Sequence, residues 1–234
     1  MKVLWVGAHP DDLEILAGGT LAKYAKKGHK AYSCIVARGD KGSIDVDPEV
    51  LAETRVEEAR RGCEILGVEF LGNLGWSDFG IEASPKLINT LVDVIRKVKP
   101  DLVITHSPTD YQNDHIRTSD AAVAAAFESA NPILKTEYPP HTVARTLYCD
   151  TIFGLNFDPD FWVDITETID IKLKALAAHQ TQVSFLPKVQ KFSDTIEDIR
   201  VCARYRGLQS DVMYAEAFKL VKRSMHNLAF DLTP

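Results

Sequence analysis

Three apolar, β-rich runs, Val3–Ala8, Ala31–Ala37 and Leu102–Thr105, alternate with Leu21–Lys27, Val50–Leu66 and Leu87–Val98, whose apolar positions recur at helical spacing. Short unbroken apolar runs fit strands buried on both faces, and the longer period fits helices that cover them. The alternation predicts a doubly wound, mainly parallel, Rossmann-like α/β sheet with helices on both faces. Stop chemistry agrees, since Gly28, Gly67 and Pro100 follow the three helices in turn. Downstream, the pattern predicts an Ala-rich helix from about Thr118 to Ala130, a strand near Thr146–Cys149, helices near Thr168–Gln180 and Ser193–Tyr205, and a last strand near Ala217–Val221. Asn73–Ser84 reads as a loop, and Asn131–His141, with three prolines, as one ordered surface loop. Nothing resembling a linker, a repeat or a low-complexity stretch divides the chain, so residues 1–234 are expected to form a single domain.

Composition narrows the function classes. At 45% hydrophobic residues the chain can bury a substantial core. A net charge of -6, with Lys and Arg interspersed among Asp and Glu, offers no basic stripe for a phosphate backbone, so nucleic acid is not an expected partner. Cys34, Cys63, Cys149 and Cys202 are scattered without paired spacing, and the first residues read as a strand instead of a secretion signal. Reduced thiols and a cytoplasmic location follow as expectations. No apolar run approaches the roughly 18 residues that a membrane span needs.

The stretch "GAHPDDLEILAGGT", residues 7–20, sets a histidine and two adjacent aspartates at the end of the first strand. Ligands of open α/β sheets bind beyond the carboxyl ends of the strands, so the position favours function. His9 and Asp12 are three residues apart and one tight turn can aim both at a common centre, while Asp11 diverges towards a group bound there. Two ligands and a free carboxylate suit metal-assisted hydrolysis. Alternatively, Asp11 and Asp12 cap the helix that begins near Gly18. Gly18–Gly19–Thr20 has two readings as well: a phosphate cradle at a helix N-terminus, or close backbone approach beside the site.

A second strand end repeats the design. After Leu102–Thr105 comes "HSPTDYQNDHIRTSD", residues 106–120, where His115 at a helix start is a candidate third metal ligand and Asp114 a candidate partner that orients a ring. A His–Asp–His set with an open position is the pattern of a catalytic metal site.

These residues resemble a known family. "AHPDDLEILAGGT" is similar to the signature of the PIG-L/LmbE-like zinc-dependent N-deacetylases, and the later Asp114–His115 pair to the second half of their motif. The resemblance extends to "RGDKGS" at 38–43, "ETRVEEA" at 53–59, "AHQTQ" at 178–182 and "YAEAF" at 214–218. It implies that His9, Asp12 and His115 bind the metal, that Asp11 is the general base and that Arg55 faces the substrate. It also implies homo-oligomers. His179, within "AHQTQ", is placed near the pocket by the same likeness. One departure stands out: many members carry H-P-D-H where this chain has Gln112, Asn113, Asp114 and His115. Gln112 can donate a hydrogen bond to an oxyanion but has no proton to give, and His106 at the strand end is a candidate replacement acid, or a structural histidine.

The implied reaction removes an acetyl group from an N-acetylated amino sugar, N-acetylglucosamine or a small conjugate of it. Zn²⁺ would polarise the amide carbonyl and activate water, with Asp11 taking the proton. Fe²⁺, Mn²⁺ or Co²⁺ suits the same mixed ligands. An alternative is a metal-binding family member that lacks a competent acid at Gln112 and acts as a binding protein. A third reading, a nucleotide-binding protein built on Gly18–Gly19–Thr20, leaves His9, Asp12 and His115 unexplained. Trp76, Phe79, Phe153 and Trp162 are candidates for an apolar wall against a sugar, and Glu216 reads as a structural partner.

Overall fold

A computed structural model describes residues 1–143, 145–189 and 193–222. Strands β1 (Lys2–Gly7), β2 (Lys30–Ala37), β3 (Glu69–Trp76), β4 (Leu102–Thr105), β5 (Arg145–Cys149), β6 (Phe161–Asp164) and β7 (Ala215–Leu220) form one sheet in the order β3-β2-β1-β4-β5-β7-β6. The five strands from β3 to β5 run parallel, whereas β7 is antiparallel to both of its neighbours. The expected doubly wound sheet is therefore present, with an antiparallel extension at one edge.

Alternate residues of β1 explain why its apolar run is unbroken. Val3 and Trp5 enter one core, with α1 (Asp12–Leu16), α2 (Gly18–Lys26), α3 (Pro48–Leu66), α6 (Ile169–Leu176), α7 (Gln180–Val189) and α8 (Thr195–Leu208). Leu4 and Val6 enter the other, with α4 (Pro85–Val98) and α5 (Asn113–Glu128). A strand covered on both faces has no polar side to display.

Besides the short α1, which precedes the helix expected near Gly18, four places in the fold depart from expectation. β3 replaces the start of the expected Asn73–Ser84 loop: Gly72 and Gly75 adopt φ of 99° and 84°, and the pairing with β2 shifts register twice, so the alternation that marks a strand is lost. β6 is four residues long and lies at the sheet edge. The expected helix Thr168–Gln180 is divided into α6 and α7, and the break turns His179 inward. α5 starts at Asn113 instead of Thr118, because its first turn is polar although Asp114 and His115 are buried.

Candidate metal centre

β1 and β4 are parallel neighbours, and the chain leaves β1 towards β2 and β4 towards β5, on opposite sides. Loops diverge at such a switch point and leave a crevice beyond the strand ends. The His9–Asp12 turn and the first turn of α5 meet there.

His9 Nδ1 lies 3.3 Å from His115 Nε2 and 3.5 Å from Asp12 Oδ2, and His115 Nε2 lies 3.2 Å from Asp12 Oδ1. A tetrahedral zinc with bonds of about 2.0–2.1 Å separates its ligand atoms by roughly 3.3 Å. The residues present therefore fit a divalent ion, and these three form a candidate metal-binding group. Tautomers support the fit. The outer nitrogens are committed to carboxylates, His9 Nε2 to Asp114 Oδ2 at 3.1 Å and His115 Nδ1 to Asp110 Oδ2 at 2.9 Å. With those N–H groups donated outward, neutral rings turn their lone pairs inward, towards each other and Asp12.

The ring that Asp114 meets is that of His9. The partner of His115 is Asp110, which the sequence reading missed: an acid in a strand-end loop carries no periodic signal, and its use emerges only when the loop folds back. Without a cation the cluster recruits protons. Burial alone would depress His9, but Asp12 and Asp114 carry it up to about 10. His115, also opposed by burial, is raised to about 9 by Asp12 and Asp110. Against the same burial cost, His115, His106 and His9 hold Asp12 well below the usual carboxylate range.

His106 is fully buried, stacked on His115 at a centroid distance of 4.0 Å, with its Nε2 2.9 Å from the Ala8 amide and 3.1 Å from Asp12 Oδ2. Burial and the neighbouring His115 push it down to about 4. It packs against two of the candidate ligands, His115 and Asp12. A second donor group, His106, Asp110 and His115, shares this ring, but stacked imidazoles 18° from parallel direct their in-plane lone pairs alongside one another instead of onto one point.

Asp11 occupies the N-cap position of α1 and makes no side-chain capping bond; its Oδ1 accepts from Arg55 Nη2 at 2.7 Å. The capping reading does not describe Asp11. Arg55 does not face outward either: at 3% exposure it lies behind Asp11, also donating to the Gly39 carbonyl at 3.3 Å and lying 3.7 Å from Asp78. A Cβ on Gly39 or Gly42 would fall 2.8 or 2.6 Å from the Arg55 side chain, which is why "RGDKGS" needs its glycines. Asp78 accepts from the Gly39 amide, and Asp40 from the Asp78 amide and the Ser77 hydroxyl, fixing the loop that encloses the arginine. Gln112 is the half-buried N-cap of α5, and its backbone N–H donates to Asp110.

Elsewhere the open alternatives resolve. The N-terminal amides of α2, at Gly19 and Thr20, donate to Glu216 at 2.9 and 2.8 Å, and Glu216 also pairs with Lys172 at 2.6 Å. A carboxylate of the chain itself holds the position a phosphate would need, which overturns the cradle reading. A Cβ on Gly19 would meet Ile165 at 2.8 Å, so close approach explains the glycine. His179 is fully buried against Glu14, at 3.2 Å and without hydrogen-bond alignment. No helix among the described residues is long and apolar enough to cross a membrane.

Known proteins resemble this chain in sequence and in fold. The PIG-L family model, described as GlcNAc-PI de-N-acetylase, matches residues 4–126. The diacetylchitobiose deacetylase of Thermococcus kodakarensis is 29% identical over 230 residues, 94% of this chain and 83% of that one. The crystal structure of the conserved protein TT1542 of Thermus thermophilus superposes with a TM-score of 0.83 at 30% identity, over 99% of this chain and 98% of that one. The 4-carboxy-2-hydroxymuconate hydratase of Pseudomonas putida superposes with a TM-score of 0.82 over 97% of this chain and 99% of that one, a likeness of fold at 24% identity. The matched residues 4–126 cover more than half of the chain and contain most of β1, all of β4, both strand-end loops and all three candidate ligands, and on that ground the chain belongs to the PIG-L family.

Proposed function

We propose that this protein is a zinc-dependent hydrolase that removes the acetyl group from an N-acetylated amino sugar, N-acetylglucosamine or a small conjugate of it. The observation that carries the reading is the inward convergence of His9 Nδ1, Asp12 and His115 Nε2, with both outer nitrogens held by carboxylates. Bound by these three residues, Zn²⁺ would supply a Lewis acid for the amide carbonyl and lower the pKa of water towards about 7. Fe²⁺, Mn²⁺ and Co²⁺ suit the same ligands.

The chain's own residues supply the proton traffic. Arg55 fixes Asp11 through Oδ1, leaving Oδ2 to take a proton from the attacking water. Gln112, half-buried at the start of α5, offers a neutral N–H to the oxyanion that forms on the carbonyl oxygen as the carbon is attacked. Gln112 has no proton to give and His106 is fully buried against His115 and Asp12, so Asp11 returns the proton to the departing nitrogen. The C–N bond breaks, and acetate and a free amine leave.

The same reading has the enzyme work in the cytoplasm, consistent with Cys34, Cys63, Cys149 and Cys202 as free thiols. It also has the chain form a homo-oligomer; Val201, Tyr205 and Leu208 line one exposed face of α8, a surface suited to self-association. The deciding experiment is elemental analysis of wild type and His115→Ala together with acetate release from N-acetylglucosamine and N,N'-diacetylchitobiose. Stoichiometric zinc that His115→Ala loses, with acetate released by wild type, is expected. Metal without acetate release would turn the chain into a binding protein, and no metal in either protein would remove the centre.

A further inference from the structure

Phe79 is an exposed aromatic that the fold does not explain. Its side chain is 78% exposed, so it adds nothing to either core. Its backbone adopts φ of 60°, in a turn that the Gly80 N–H closes onto the Ser77 carbonyl at 3.1 Å. Glycine or asparagine occupies such a position at less conformational cost. Costly backbone that is pinned from several sides is characteristic of functional sites.

The pinning leads to the metal centre. The Phe79 N–H donates to Asp114 Oδ2 at 2.7 Å, and the same carboxylate oxygen lies 3.1 Å from His9 Nε2. The preceding residue, Asp78, accepts from Gly39 and Lys41 amides and lies 3.7 Å from Arg55, which holds Asp11. Lys41 closes the other side, donating from Nζ to the Asp78 carbonyl at 2.7 Å and standing 5.8 Å from the Phe79 ring centroid. The ring is thus tied through its own turn both to a candidate metal ligand and to the candidate base, at the rim of the crevice. The other aromatics are otherwise engaged: Trp162 donates to Gln209 on the far edge of the sheet, Trp76 is half-buried beneath Lys86, and Phe153 borders a cavity next to Arg206.

We propose that the Phe79 ring is a stacking platform for the carbon–hydrogen face of the pyranose that carries the acetamido group. The proposal rests on the deacetylase reading. A pyranose presents apolar C–H groups on its faces and hydroxyls around its edge, and a rigid exposed ring offers it apolar area and a π face at little entropic cost. Stacking of this kind binds ground state and transition state alike, so its loss raises KM and leaves kcat in place.

Phe79→Gly and Phe79→Tyr separate this role from a structural one. Glycine accepts φ of 60° without strain, so Phe79→Gly is expected to keep wild-type zinc content and an equal or higher Tm, while KM for N-acetylglucosamine rises about tenfold and kcat stays within about twofold. Phe79→Tyr is expected to match wild type. An unchanged KM in Phe79→Gly would overturn the platform, and a loss of zinc there would assign the residue to holding Asp114 instead. Saturation-transfer NMR with N-acetylglucosamine keeps the two readings apart if wild type releases no acetate. Transfer to the sugar C–H protons that Phe79→Gly abolishes would uphold the platform without the hydrolase, and no transfer in wild type would overturn it.

Discussion

Two of the buried polar clusters among the described residues differ in how their charges balance. On the β7 side, Glu216 is matched by Lys172 at 2.6 Å and Asp150 by Arg206 at 2.6 Å, and Glu216 also receives the α2 amides. Acids and bases are equal in number and bonded to each other. Beyond β1 and β4, Asp11, Asp12, Asp40, Asp78, Asp110 and Asp114 are all buried, and Arg55 is the fully buried cation among them, with Arg38 partly exposed at the edge. A closed ion pair is a structural device. An excess of buried carboxylates around His9, His106 and His115 is a site that asks for a cation, and in its absence draws protons onto His9 and His115.

The strongest test of that contrast removes charge on each side. Asp11→Asn is expected to lower kcat by about 10²–10⁴-fold, the range of a general base, with zinc stoichiometry unchanged. Acetate release and metal analysis read both, and retained turnover would dismiss Asp11 as the base. Glu216→Gln is expected to do the reverse: with Lys172 left buried and unpaired, denaturant unfolding should show a loss of about 3–5 kcal/mol, while the folded protein keeps its zinc. A metal-site defect in that variant would erase the distinction between the clusters.

Smaller effects sharpen it. Asp110→Asn keeps the shape beside His115 but not the charge, so zinc affinity measured by competition with a chelator should fall by about 10–100-fold. Wild-type affinity would mean that Asp110 does not tune the ligand. The smallest expected change is in pH dependence. His9 and His115 have folded-state pKa values raised to about 10 and about 9, so in metal-free protein their contribution is complete below about 6.5 and is lost as pH rises through 9 and 10. The Tm of chelator-treated protein should therefore decline from about pH 7 to 10, and zinc should abolish that decline by replacing the protons. Parallel profiles with and without zinc would show that the metal binds elsewhere.

Much of this was legible before folding. Val3–Ala8 and Leu102–Thr105 could be read as strands because a strand covered on both faces must be apolar throughout, and the loops that follow them carry the candidate ligands at short spacing. β3 was hidden by Gly72 and Gly75, whose bulges break the alternation, and the exact start of α5 was blurred because its first turn, with Asp114 and His115 buried, is polar and carries no hydrophobic period.

What the sequence by itself determined, then, is the alternation of the first parallel strands with helices, and it offered His9, Asp12 and His115 as candidate donors, from local periodicity and strand-end position. Only the tertiary structure decided the partners. Asp114 meets His9 across 105 residues of chain, Arg55 meets Asp11 across 44, and Glu216 meets Gly19 across 197. Period and propensity act over a few residues, whereas these pairings are made by the crossovers that bring distant strand ends side by side.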